Sequence, residues 1–327
     1  MNFYPTKKIV VLTSGGDAPG MNAAIRAVVR AGHYYNIEIF GCLLGYQGLV
    51  DQKIFPMGLE SVANCIQHGG TILKADRCIA FYEKSTRDKC REFLAQHEID
   101  SMIVIGGNGS FKGAALISSE GGPRVMGIPG TIDNDIPGTD YTIGFDTARN
   151  TALQAIDKIR DTASSHNRSF LVEVMGRSSG FLAVDVGIAG GAEFILIPEY
   201  PISIEDLAAR LMKPKRQKMS SILVIAEADR PGRSFDIAVQ LKQLTGNEYR
   251  VCILGHTQRG GTPTLEDRKM GSIMGYLAVK GLLQGETHKM VARNQDKLSL
   301  VPFPEPHTPS RVISDKSLLE LNDILCI

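Results

Sequence analysis

Short apolar runs that end in glycine and lead into helical segments recur along this 327-residue chain, and they constrain its fold more than any other feature. The first is Lys8–Thr13, a β-branched run followed by Ser14-Gly15-Gly16-Asp17-Ala18-Pro19-Gly20 and a helical segment from Met21 to Tyr34. A strand, a glycine turn and a helix in that order open a parallel sheet, because the helix returns the chain to the start of the next parallel strand. Ile37–Leu43, Ser101–Ile105 and Arg124–Ile128 read as further strands, with helices over Arg87–His97 and Phe111–Ser118. Gly106–Ser110 and the polar stretch Pro129–Tyr141 read as loops.

The pattern continues after a helix over Thr147–Ala163, where Ala148, Ala152, Ala155, Ile156 and Ile159 make one apolar stripe. Strands at Phe170–Val174, Phe194–Ile197, Ser221–Ile225 and Arg250–Leu254 alternate with helices at Phe181–Ile188, Ile204–Met212, Phe235–Thr245 and Glu266–Leu283. Two β-like runs, Met290–Ala292 and Leu298–Val301, precede a proline-rich stretch and a last helical segment, Lys316–Leu321. One small doubly wound domain does not hold this many strands, and the helix from Asp146 is expected to carry the chain into a second. The expected fold is α/β: two Rossmann-like three-layer α/β/α domains with mostly parallel sheets.

Composition removes several function classes. Lys and Arg number 36 against 35 Asp and Glu, a net charge of +1, which gives no support to nucleic-acid binding. No stretch reaches the roughly 20 apolar residues that cross a bilayer. The N-terminal run continues into Gly-Gly-Asp, not into a small-residue cleavage site, so no secretory signal and no membrane association are expected. Cys42, Cys65, Cys78, Cys90, Cys252 and Cys326 are scattered without a Cys-x-x-Cys pair and read as reduced thiols of a cytoplasmic protein.

The chemistry is written in the glycine turns and one carboxylate loop. The clusters Gly15-Gly16, Gly106-Gly107, Gly176 and Gly260-Gly261 follow strands, where open α/β sheets bind ligands. Glycine lets backbone approach a phosphate, and a helix start offers N–H groups to it. Arg77, Arg168, Arg177, Arg250 and Arg259 sit in or near such turns, with forks of donors that match phosphate oxygens. The first turn is neither G-x-G-x-x-G nor a Walker A sequence, so the common dinucleotide and P-loop fingerprints both fail. Taken singly, each cluster also suits a plain tight connection. Pro129-Gly130-Thr131-Ile132-Asp133-Asn134-Asp135 fits a self-bonded Asx turn. It equally fits a pair of carboxylates of which one takes a proton and the other helps hold a metal. A general base, cations over the moving group and a metal are the parts phosphoryl transfer needs.

At these loops the sequence resembles the ATP-dependent 6-phosphofructokinases of bacterial type. The matching stretches are Leu12–Arg26, Pro129–Asp135, Asp140–Gly144, Ser164–Arg168, Glu173–Arg177 and Leu254–Gly261. The resemblance implies phosphorylation of the 1-hydroxyl of fructose 6-phosphate by ATP with magnesium, in glycolysis. It implies an ATP-binding domain of residues 1–143 plus about 257–305, and a sugar-phosphate domain of about 144–256 plus 306–327. Gly16, Arg77, Cys78, Asn108, Gly109, Ser110 and Gly113 match nucleotide contacts. Asp133 matches the general base, with Thr131, Arg77 and Arg177 assisting the transition state. Thr131, Asp133, Asp135, Arg168, Met175, Gly176, Arg177, Glu227, Arg250, His256 and Arg259 match the sugar-phosphate site. Asn108 and Asp135 match the magnesium arrangement. In the family, arginines at the places of Arg168 and Arg250 reach a neighbouring subunit's site, so a homotetramer with shared active sites is implied.

Two departures mark this chain. Asn108 stands where the family has aspartate, which implies altered magnesium dependence. Arg26, Arg30, Arg160, Glu193, Arg216 and Lys218 match the allosteric pocket, but the family's arginine and aspartate are missing near Leu59 and Asn64. Weak or absent regulation by ADP or phosphoenolpyruvate is therefore expected. Pyrophosphate-dependent relatives carry Asp at the place of Gly109 and Lys at that of Gly130, and open space at both glycines would favour ATP. Pyrophosphate as donor and a catalytically weak regulatory subunit stand as the alternatives.

Overall fold

The computed structural model describes residues 6–166, 168–212, 220–228, 230–305 and 307–326. The chain divides into two compact units. The first comprises Met1–Ile132, Ile136–Thr147 and Arg259–Ser310; the second comprises Asp133–Asp135, Ala148–Gln258 and Arg311–Ile327.

The first unit is built on a seven-stranded sheet. In chain order its strands are β1 (Lys8–Thr13), β2 (Glu38–Cys42), β3 (Ile54–Pro56), β4 (Ser101–Gly106), β5 (Arg124–Pro129), β10 (Lys289–Asn294) and β11 (Lys297–Pro302). The spatial order is β11-β10-β5-β4-β1-β2-β3. The five inner strands run parallel, and both edge strands are antiparallel to their neighbours. β4 is buried at every position, in keeping with its apolar run Met102–Ile105. Four helices of this unit flank the sheet strands in sequence: α1 (Met21–Tyr34), α2 (Gly45–Val50), α3 (Lys84–Gln96) and α4 (Asn108–Ser119). A fifth, α9 (Leu265–Leu283), packs on α1 so closely that a Cβ at Gly271 would lie 2.8 Å from the Gly20 carbonyl, and one at Gly275 2.6 Å from that of Ala24. Side chains there would force the two helices apart, which outweighs the roughly 0.5–1 kcal/mol that a mid-helix glycine costs.

The second unit has a four-stranded, wholly parallel sheet in the order β7-β8-β6-β9: β6 (Ser169–Val174), β7 (Phe194–Leu196), β8 (Ile222–Ala226) and β9 (Tyr249–Ile253). Its helices are α5 (Phe145–His166), α6 (Phe181–Ala189), α7 (Ile204–Met212), α8 (Arg233–Thr245) and α10 (Ser317–Leu325), the first turn of α5 belonging to the first unit. Leu171, Leu223, Ile225, Leu207, Ile237 and Leu241 form its core. The α/β architecture with mostly parallel sheets is the one expected. No described helix is long and apolar enough to cross a membrane.

Local differences from the sequence reading have physical causes. α4 starts at Asn108, not Phe111, because the Gly107 carbonyl accepts from the N–H groups of Ser110 and Phe111. Asn108, Gly109 and Ser110 thus occupy the first helical turn and not a loop. α5 begins two residues early because Asp267, on α9, accepts from the N–H groups of Gly144 and Thr147. α2 and β3 lie in a stretch with no clear apolar period and were not foreseen from sequence.

Candidate active site

In the first unit, β1 and β4 are adjacent, and the Ser14 N–H donates to the Ile105 carbonyl at 3.0 Å, which holds the two glycine turns side by side. A Cβ at Gly16 would collide with the Arg259 guanidinium, whose Nη1 donates to the Asp17 carbonyl at 3.3 Å. The first glycine turn and Arg259 are therefore neighbours although 243 residues separate Gly16 from Arg259 in sequence. At the next turn, nothing lies within 4 Å of a Cβ built on Gly107 or Gly109. The start of α4 is thus unobstructed at both glycines, and a helix N-terminus is a place that suits an anion.

Gly113 has a different reason to be glycine. A Cβ there would lie 2.9 Å from the ring of Tyr46, a buried side chain that donates to the Ser110 carbonyl at 2.5 Å and stacks on Phe81. Its role in this chain is to let α4 pack on Tyr46. Arg77 is exposed, and Cys78 caps a short 3-10 helix over Ile79–Tyr82. Partial burial raises the Cys78 thiol, and the side chain packs against the core of the first unit. The loop leading to these residues is anchored by Asn22 of α1, which donates to the His68 and Gly69 carbonyls and accepts from the Ile72 N–H.

Gly130 and Thr131 continue β5 as a pleated stretch: the Thr131 N–H donates to Ile143, and the Ile143 N–H to Pro129. A Cβ at Gly130 would lie 3.0 Å from the Met21 methyl and 3.3 Å from Ile105. This corrects the sequence reading, which treated both Gly109 and Gly130 as open. Gly109 is open; Gly130 is closely packed, and a lysine there would need Met21 to move. Asn108 donates through Nδ2 to the Ser310 hydroxyl at 3.3 Å.

In the second unit, Asp133 is almost fully buried, and its Oδ2 lies 3.7 Å from Nε of Arg177, whose own side chain is 65% exposed. A buried carboxylate with an exposed guanidinium beside it leaves the cation free to meet an incoming anion while Asp133 stays fixed. The Asp133 carbonyl accepts from Ser179 Oγ at 2.8 Å. Asp135 is half-buried, and its carbonyl accepts from the Arg311 N–H at 2.7 Å. Arg177 has φ of +51° and Gly176 φ of +141°, so the turn after β6 takes up left-handed backbone where only Gly176 is suited to it. The Arg177 N–H donates to Glu227 Oε1 at 3.1 Å, and the Met175 N–H to Gln258 at 3.1 Å. Met175, Gly176, Arg177 and Glu227 thus form one cluster at the C-terminal ends of β6 and β8. His256 lies on the 3-10 helix over Gly255–Arg259 and is exposed.

Arg168 and Arg250 are exposed at the opposite, N-terminal ends of β6 and β9, where Phe170 faces Arg250 in register. Among the residues matched to an effector pocket, Arg160 donates to the Gly190 and Gly191 carbonyls and Glu193 accepts from the Ile222 N–H, so both brace the second unit internally. Arg26 and Arg30 lie on α1. Arg216 and Lys218 fall outside the described residues. Among the described residues no group of three His, Cys, Asp or Glu side chains is arranged to hold a metal. Asn108 lies in the first unit and Asp135 in the second, and each carries a side-chain oxygen of the kind magnesium takes.

Sequence reasoning missed Ser179, Gln258, Asp267 and Arg311. Each acts on backbone far away in the chain, and no local spacing announces it.

Comparison with known proteins agrees with this geometry. The Phosphofructokinase family profile matches residues 8–282. The ATP-dependent 6-phosphofructokinase of Coxiella burnetii is 58% identical over 320 residues, 98% of each chain. The ATP-dependent 6-phosphofructokinase 1 of Thermus thermophilus is 47% identical over 322 residues, 98% of this chain and 100% of that one. Among solved structures, the phosphofructokinase of Saccharomyces cerevisiae superposes with a TM-score of 0.82 at 34% identity; the match covers 90% of this chain and 44% of the longer yeast chain. With a family profile over most of the sequence and near full-length relatives on both counts, this chain belongs to the phosphofructokinase family.

Proposed function

We propose that this protein transfers the γ-phosphoryl group of ATP to the 1-hydroxyl of D-fructose 6-phosphate, giving D-fructose 1,6-bisphosphate and ADP, as a cytoplasmic enzyme of glycolysis. The observation that carries the reading is Asp133, a buried carboxylate fixed through its own carbonyl, with the guanidinium of Arg177 3.7 Å away. Asp133 takes the proton as the sugar oxygen attacks the γ-phosphorus and the bond to the β–γ bridging oxygen breaks. Thr131, Arg77 and Arg177 stabilise the charge on the moving phosphoryl group. Gly16, Asn108, Gly109, Ser110 and Cys78 line the nucleotide. Magnesium, which neutralises phosphate charge when bound, would be held by Asn108 and Asp135. Met175, Gly176, Glu227, His256 and Arg259 bind the sugar phosphate.

The open surroundings of Gly109 support ATP over pyrophosphate; the packing of Gly130 does not bear on the choice. Arg168 stands seven residues of strand, about 23 Å, before Met175, and Arg250 of β9 pairs with Phe170, five residues or about 16 Å before it. That separation supports their serving a second subunit's sugar phosphate, and with it a homotetramer with shared sites. Regulation through Arg26 and Arg30 is expected to be weak. The test supplies fructose 6-phosphate with either ATP or pyrophosphate and follows fructose 1,6-bisphosphate through an aldolase-coupled assay. Turnover with ATP alone is expected; turnover with pyrophosphate alone, or with neither, would overturn the reading.

A further inference from the structure

The three consecutive carbonyls of the carboxylate loop are all held within the second unit. Asp133 O accepts from Ser179 Oγ at 2.8 Å, Asn134 O from Arg311 Nη1 at 3.3 Å, and Asp135 O from the Arg311 N–H at 2.7 Å. Two of the three holds come from one residue of the C-terminal segment, which otherwise has no assigned part in the reaction. The Arg311 guanidinium also lies 4.4 Å from the centre of the Phe181 ring, at the start of α6, two residues beyond Ser179. Stacking fixes the plane of the guanidinium and so the direction of its N–H donors. Asn134 has φ of +51° and is buried, so the loop turns through a left-handed residue between the two carboxylates. Such a turn persists only where its surroundings hold it, and it sets where the side chains on either side point.

We propose that Arg311 is a positioning residue for phosphoryl transfer: stacked on Phe181, it holds the Asn134–Asp135 backbone and thereby aims the Asp133 carboxylate at the sugar hydroxyl. The inference rests on the role proposed above for Asp133. It assigns the C-terminal segment a part in catalysis without contact to either substrate. Misplacing a general base by about 1 Å can cost on the order of 100-fold in rate. A binding residue would instead appear in KM.

The test compares wild type with Arg311→Ala and Arg311→Lys in steady-state kinetics with ATP and fructose 6-phosphate, alongside thermal melts. Alanine removes the guanidinium but keeps the backbone N–H to Asp135; lysine keeps the charge and donors on a single nitrogen but loses the planar fork. The expected result is a 10- to 100-fold fall in kcat for alanine with both KM values within about threefold of wild type. The lysine variant should fall between, and added guanidinium ion should restore part of the alanine variant's kcat. Four results would overturn the inference: unchanged kcat with a lowered melting temperature, a rise confined to KM for the sugar phosphate, no restoration by guanidinium, or loss of the folded state in both variants. Absence of turnover in wild type would instead sink the functional reading itself.

Discussion

Gly109→Asp should make the protein more stable and a poorer ATP enzyme. Gly109 is the second residue of α4, and nothing lies within 4 Å of a Cβ placed there. A Cβ therefore meets no steric penalty from the protein. Leaving glycine recovers a few tenths of a kcal/mol of helix propensity, and an acidic group in the first turn adds about 0.3–1 kcal/mol through the helix dipole. The melting temperature should hold or rise. The proposed phosphates would face the same turn. A carboxylate about 5 Å from a phosphate charge, at an effective dielectric near 20, is repelled by about 3 kcal/mol. That corresponds to roughly a 100-fold loss in kcat/KM for ATP. Asn is nearly the same size without the charge, so Gly109→Asn should lose less than about tenfold, and Gly109→Ala should stay within about threefold. The assay is initial rate against ATP at saturating fructose 6-phosphate for the three variants, with melts on the same samples. Equal losses for Asp and Asn would show that volume and not charge matters there. An Asp variant close to wild type would remove the phosphates from this turn altogether.

Asn108→Asp should lower the magnesium concentration needed for half-maximal rate, since it adds a charge at the proposed metal position while its oxygens can still accept from the Ser310 hydroxyl; identical magnesium titrations would contradict that role. Arg250→Ala and Arg168→Ala should each raise KM for the sugar phosphate about 10- to 100-fold, from the loss of about 1.5–3 kcal/mol of charged hydrogen bonding. Hybrids refolded from Arg250→Ala and Asp133→Asn chains should be more active than either parent, and hybrids no better than the parents would refute sharing between subunits. Asp267→Asn should destabilise the first unit by about 1.5–3 kcal/mol, because the buried carboxylate accepts from Tyr141, Gly144 and both N–H and hydroxyl of Thr147, and an amide nitrogen would face one pair of those donors. Calorimetry that shows no shift would refute it.

Most strands and helices were legible because each buries an apolar run of the right period between glycine turns, as β4 and β6 do. The carboxylate loop was legible as a pair of aspartates two residues apart. What was not legible depends on partners distant in the chain. The glycine at 113 reads as a ligand contact until Tyr46 is seen against it. The glycine at 130 reads as open until Met21 and Ile105 are placed. Asp267 and Arg311 look like ordinary charged residues, yet one sets the start of α5 from α9 and the other holds the carboxylate loop from the C-terminal segment. Asp133–Asp135 itself groups with the second unit while the residues on both sides belong to the first, a division that no composition shift marks.

Phosphoryl transfer as proposed turns on Asp133 taking the proton from the sugar as ATP's phosphoryl group moves. Its most direct test measures kcat and ATP binding together for wild type and Asp133→Asn, which keeps the size of the side chain. In Asp133→Asn, kcat should fall about 100- to 10,000-fold with ATP affinity unchanged. A variant that turns over within tenfold of wild type, or one whose loss lies in ATP affinity, would contradict it.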